Sequence, residues 1–163
     1  AVGQAVTAMV GQNMGAGHIE RAKKTAQSGL VINVGVTLIA VVLVQIFSET
    51  IIKLFDPASP DVIQEGVLYL RICCSLNSLV YAIMYTLDSF AIGLRDAHIA
   101  MINALLDAVV VRLPICHLLA FTLSIGPLGV YIGQALSPLV PAIVGWIYFA
   151  SEKWRIPKGS RDT

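Results

Sequence analysis

Residues 26–48 read AQSGLVINVGVTLIAVVLVQIFS, with no charged side chain among them. A helix needs about 20 predominantly apolar residues to cross the hydrocarbon core of a bilayer, so this stretch predicts a membrane span, placed at residues 28–47. A second charge-free run, residues 113–151, is long enough for two short crossings or one crossing plus a long helix. The whole chain has the same bias. Of its 163 residues 56% are hydrophobic and 13% charged, where a soluble domain carries about 25% charged residues, and the mean hydropathy is +0.78. These values exclude a soluble domain. The formal net charge of +1 gives no general reason to bind nucleic acid, and no nucleic-acid partner is expected.

On either side of that run the chain divides at its polar connections. AVGQAVTAMV at the start is apolar but too short to span, and it lacks an initiator Met and a basic leader region. It is expected to be the end of a helix begun upstream (residues 1–12), which makes the chain a fragment. Residues 13–27 form a polar loop punctuated by Gly15 and Gly17, with a short interfacial helix from His18 as one way into the first span. Pro57 and Pro60 break the helix after that span. A second span is expected at 62–92, a third at 99–121 after the turn GLRDAH, and a fourth at 128–150 after SIGPLG, with residues 152–163 as a tail. The fold class is therefore all-α, a polytopic transmembrane bundle of four full spans plus the end of a fifth. Four spans put Arg21, Lys23, Lys24, Arg95, Lys153, Arg155, Lys158 and Arg161 on one side and Lys53 alone on the other. Basic loops mark the cytoplasm, so both ends of the segment are expected there, in a multi-pass protein of the plasma membrane.

An ionisable group inside a span costs about 2.5–3.5 kcal/mol on insertion scales and is kept where it is paired, hydrated or functional. Asp88 lies about 10 Å inside the cytoplasmic edge at 1.5 Å per residue. It either faces a water-filled cavity and binds a coupling or organic cation, or caps a loop or pairs with Arg95. Asp107 and Arg112 lie about 16 and 24 Å deep. Five residues apart on an α-helix, they are expected not to share a face, so each needs a partner elsewhere. Asp107 is a coupling or structural carboxylate, and Arg112 a structural anchor near Pro114. Arg71 is expected to snorkel at the outer end of its span. Asn77, Tyr81, Met84 and Asp88 follow 4-3-4 spacing along one helical face, with Tyr85 beside them. That stripe is either a cavity lining, in which aromatic rings attract organic cations and Met adapts to irregular ligands, or polar glue between helices. Pro114, Pro138 and Pro141 each free a backbone carbonyl, so each can kink its helix. Cys73, Cys74 and Cys116 have no metal-ligand spacing, and neither do His18, His98 and His117. There is no P-loop, G-x-S-x-G or H-E-x-x-H, so neither an enzyme nor a metal or other cofactor is expected.

MVGQNMGAGHIERAKK (Met9–Lys24) resembles the V-G-Q-x-x-G-A-G signature of the multidrug and toxic compound extrusion (MATE) transporters, carried here by Gly11, Gln12, Gly15 and Gly17. SFAIGLRDAHIAM (Ser89–Met101), LLDAVVVRLPICHLL (Leu105–Leu119) and GPLGVYIGQALSP (Gly126–Pro138) resemble its following segments in order. The resemblance implies that residues 1–12 end the eighth helix of a twelve-helix, two-lobe transporter, and that residues 28–151 hold helices nine to twelve of its C-lobe. It implies export of cationic amphipathic compounds in exchange for Na⁺ or H⁺, with the bilayer and a missing N-terminal lobe as partners. It also implies Asp88, Tyr81 and Tyr85 as counterparts of the family's cation-binding positions. Two rivals stay open. A lipid-linked precursor flippase of the same superfamily would need cations such as Arg71 and Arg112 in its cavity. The other is an inactive truncated membrane fragment.

Overall fold

The computed structural model describes residues 1–55 and 59–155. Pro57 and the basic tail residues Lys158 and Arg161 lie outside the described residues. Within them every regular element is helical: α1 (Val2–Gly15), α2 (Ile19–Phe55), α3 (Pro60–Cys73), α4 (Leu76–Gly93), α5 (Ala97–Thr122) and α6 (Pro127–Ala150), then a short 3₁₀ turn at Lys153–Arg155. Three of them, α2, α5 and α6, are long and apolar enough to cross a membrane, and α3 with α4 add a fourth if the bent pair is one span.

Two expectations change in detail. The polar segment after Gly17 does not form a separate element. It is the first turns of α2, so helix and span run on as one rod of 37 residues. The chain turns into it at Gly17, whose φ of +75° is the left-handed conformation that glycine adopts without steric cost. The span expected over 62–92 is two helices bent by 47°. The break is chemically satisfied from α2 and from α4 itself: the Gln45 amide of α2 donates to the carbonyls of Arg71 (3.1 Å) and Cys74 (3.0 Å), and Asn77 Nδ2 of α4 donates to the Cys73 carbonyl at 3.3 Å. A broken helix at membrane depth is tolerated where neighbours re-satisfy its freed carbonyls, and a glutamine inside a charge-free span supplies that here.

α4 is the central helix, packed against α1, α2, α5 and the second half of α6. Gly93 seats α1 against it: a Cβ there would meet the Thr7 carbonyl oxygen at 2.8 Å. On α6, Gly129 and Gly133 do the same against α5. A Cβ on Gly129 would sit 2.6 Å from the Leu119 carbonyl carbon, and one on Gly133 3.0 Å from Cys116 Cα. This small-xxx-small spacing lets two membrane helices bring their backbones together, where dispersion replaces the absent hydrophobic drive. Of the two glycines in the N-terminal half of α2, Gly29 meets Val6 of α1, whereas a Cβ on Gly35 would have nothing within 4 Å among the described residues.

The tail closes one end of the bundle. Trp154 is buried, edge-on to Phe90 at 5.0 Å between centroids, and joins Val6, Val10, Ala22 and Ala26 in the main apolar cluster. Around it Glu152 pairs with Lys23 and Arg155, and Arg155 with Glu20. The Lys23 ammonium holds the Glu152 carboxyl below the usual glutamate range. The start of α2, the end of α4 and the tail thus share one end, the grouping that the basic residues indicate.

Gly133→Leu is expected to force α5 and α6 apart and to destabilise the bundle by about 1–3 kcal/mol, the cost of overpacking a filled contact. Gly35→Leu is expected to leave it unchanged. Both are measurable by denaturant titration in mixed micelles.

Candidate functional site

The polar groups inside the bundle gather around α4 in two clusters. In the first, the Tyr81 hydroxyl donates to Asp107 Oδ2 at 2.9 Å. The Arg112 guanidinium donates to the same carboxylate oxygen at 2.5 Å and also to the Tyr81 oxygen, and its Nε donates to Ser137 Oγ of α6 at 3.3 Å. Three spans are tied together at one carboxylate. Asp107 is buried, and its second oxygen, Oδ1, is buried with no hydrogen-bond partner among the described residues.

The pairing corrects the expectation that Asp107 and Arg112 cannot meet along one helix. They form an ion pair because residues 106–112 wind as a π-helix, whose hydrogen bonds run from residue i to i+5. The wider turn brings residues five apart onto the same side. Pro114 follows closely, and a proline inside a helix has no N–H to give to the preceding turn. A second π-helical stretch occupies residues 118–122.

In the second cluster Asn103 Nδ2 donates to Asp88 Oδ1 at 2.6 Å. Both residues are buried, Asn103 completely. Asp88 therefore bonds to the neighbouring span and not to Arg95. Asn103 was visible in the sequence as a polar residue within a span, but nothing in the spacing linked it to Asp88.

The expected stripe divides. Asn77, Tyr81 and Tyr85 line one open cleft of about 420 Å³ together with Asn33, Tyr69 and Gln134. Met84 and Asp88 are buried and lie outside the cleft lining. The Tyr81 and Tyr85 rings are stacked, with centroids 5.7 Å apart, and Tyr85 is 57% exposed. The cleft thus has an aromatic wall, an amide rim and, behind the Tyr81 hydroxyl, the Asp107 carboxylate. Asn33, which donates to Thr86 Oγ1 (2.9 Å) and the Ala82 carbonyl (3.1 Å), and Gln134, which donates to the Tyr69 hydroxyl at 3.3 Å, were not among the expected site residues. Their signal was only that each is an amide in an otherwise apolar run. Arg71 takes no part. It lines a separate groove with Glu49, Pro60 and Gln64. Of the signature residues, Gly11 lies against α4, where a Cβ would meet the Gly93 carbonyl oxygen at 3.4 Å. The Gln12 carbonyl accepts the capping N–H of Ala16, Gly15 ends α1 and Gly17 makes the turn into α2.

Asp107→Asn leaves Arg112 without its counter-charge and is expected to destabilise the bundle by about 2–4 kcal/mol. The double variant Asp107→Asn, Arg112→Gln is expected to cost less than Asp107→Asn alone: Arg112 is only part-buried, but breaking one half of a pair made to a buried carboxylate is still worse than removing both. A double-mutant cycle in mixed micelles measures the coupling.

The MatE family profile matches residues 1–118. The chain is similar to a protein of Oceanobacillus iheyensis named "Probable multidrug resistance protein NorM", 25% identical over 154 residues that cover 93% of this chain and 34% of that protein. It is similar to a protein of the same name from Thermotoga maritima, 23% identical over 150 residues, 92% of this chain and 32% of that one. The solved structure "Inward-facing conformation of a multidrug resistance MATE family transporter of the MOP superfamily" superposes with a TM-score of 0.85 at 17% identity, over 92% of this chain and 34% of the other. "Crystal structure of MATE in the bent conformation" gives 0.77 at 17% identity, over 99% and 34%. The chain spans about a third of the length of the curated relatives it matches. With most of its length matched by the profile, the chain belongs to the MATE family and is a membrane protein with that family's helical fold.

Proposed function

We propose that the chain is the C-lobe portion of a secondary antiporter that exports cationic, amphipathic compounds in exchange for Na⁺ or H⁺. The observation that carries this is the cleft on α4: stacked tyrosines and amides in front of a buried carboxylate. A tyrosine face attracts an organic cation by about 0.5–2 kcal/mol, and Asp107 supplies the negative charge reached through Tyr81. Asp88, held by Asn103, is the second carboxylate available for coupling. Arg112 acts as a resident counter-ion: it neutralises Asp107 while no other cation is present. An arriving cation competes with it for the same oxygen, which is how binding would be coupled to rearrangement of the three spans. The names of the relatives, multidrug resistance proteins, support the same reading.

A flippase for lipid-linked precursors would need a net positive cavity to hold a pyrophosphate. Arg112 is already committed to Asp107 and Arg71 lies in a different groove, so the cleft favours a cation. The transport unit comprises this chain together with an N-terminal lobe, and activity is assigned to that whole and not to the segment alone. In the full-length parent expressed in efflux-deficient cells, Tyr85→Ala is expected to lower ethidium efflux several-fold and Asp107→Asn to reduce it tenfold or more, with Asp88→Asn also lowering it. Unchanged efflux in all three variants would remove the cleft and both carboxylates from the mechanism.

Both ends of the segment are assigned to the cytoplasm. In a variant without native cysteines, a Cys at Ser151 is expected to react with impermeant maleimide only after the cells are opened. A Cys at Ser59 is expected to react in intact cells. Reaction of both in the same compartment would sink the topology.

A further inference from the structure

The first two turns of α2 sort their charges onto two faces. Glu20 and Lys23, three residues apart, pair with Arg155 and Glu152 of the tail. Arg21 and Lys24, also three apart and therefore neighbours on the next face, are exposed and make no ion pair among the described residues. They line a groove of about 480 Å³ between α1 and α2 that has no acidic side chain in its lining among the described residues. Ser28 continues its polar rim, and Val6, Met9 and Ile32 form its apolar floor.

The position of the groove fits one occupant. Lys24 precedes the charge-free run of α2 by two residues, about 3 Å along the axis. That places both cations in the headgroup layer. Ile32 lies eight residues further in, about 12 Å deeper, at the level of acyl chains. In its most apolar stretch α2 has no buried residue among the described residues, so the side of the helix turned away from α1 and α4 is open at this level. A groove that is doubly cationic at the interface and apolar below it complements an amphiphile of opposite charge. We infer that the α1–α2 groove binds an anionic phospholipid, its phosphodiester between Arg21 and Lys24 and one acyl chain along Val6, Met9 and Ile32. Basic pockets between membrane helices hold such headgroups by the same combination of charge and contact. The site is independent of the cleft on α4 and of the transport reading.

The chain carrying Met9→Trp, in uncharged detergent, reports occupancy of the floor through quenching by lipids with brominated acyl chains. The quenching is taken beyond that of the same chain without the added tryptophan. Brominated phosphatidylglycerol is expected to quench with an association constant about 30-fold above that of brominated phosphatidylcholine, the advantage that two interfacial cations confer. Arg21→Gln with Lys24→Gln should abolish the preference, and Lys53→Gln, at the far end of α2, should keep it. A charge-reversed pair, Arg21→Glu with Lys24→Glu, should exclude phosphatidylglycerol while leaving helix content by circular dichroism unchanged. Equal quenching by the two lipids, or a preference that survives the double Gln variant, overturns the assignment. So does displacement of phosphatidylglycerol by millimolar inorganic phosphate, which would make the site one for the anion alone.

Discussion

A polar group in hydrocarbon must find its partner inside the protein, and the bundle is organised around that requirement. Asp107 sits where a lone carboxylate is costly. Tyr81 of α4 and Arg112 of its own helix both give hydrogen bonds to it, and Arg112 extends the link to Ser137 of α6. The price is local: α5 leaves the α-helical pitch for a π-helical one. A stretch with weaker backbone geometry is retained because it satisfies a charge, and such stretches frequently mark functional sites. Asp107 Oδ1, which has no hydrogen-bond partner among the described residues, completes the picture of a carboxylate with capacity still unused.

The same rule shapes the backbone. The bend between α3 and α4 exposes carbonyls that a straight helix would have bonded internally, and Gln45 crosses from α2 to take two of them. Close approach of α5 and α6 depends on Gly129 and Gly133, where side chains would strike the neighbouring backbone. At the interfacial end water is available, and the solution differs. There Lys23, Glu152, Arg155 and Glu20 form ion pairs, while the apolar face of Trp154 packs beneath them against Phe90 and Phe149. Exposed pairs of this kind contribute little individually, and the buried indole is what anchors the tail.

The all-α membrane class and the grouping of basic residues at one end were legible in the residues because each depends on composition summed along a stretch. The transfer cost of a segment is nearly additive, so AQSGLVINVGVTLIAVVLVQIFS reads as a span without knowledge of its neighbours. The polar stripe was legible only in part. Its 4-3-4 spacing placed Asn77, Tyr81, Met84 and Asp88 along one face, but Met84 and Asp88 turned into the core and Asn77, Tyr81 and Tyr85 into the cleft. A helical face is wide enough to meet two different neighbours, and periodicity does not say where one gives way to the other.

The amino-acid sequence by itself determined that this chain belongs in a membrane and which of its stretches are apolar enough to cross one, since these follow from hydrocarbon transfer and helix rise applied residue by residue. The tertiary structure alone decided that Asp107 and Arg112 pair, that Asp88 belongs to Asn103, and that residues 62–92 form two helices set at an angle and not one straight rod. Each of these turns on a change of helical pitch or on a side chain arriving from a remote segment, and neither is encoded in any one stretch of residues read at fixed periodicity.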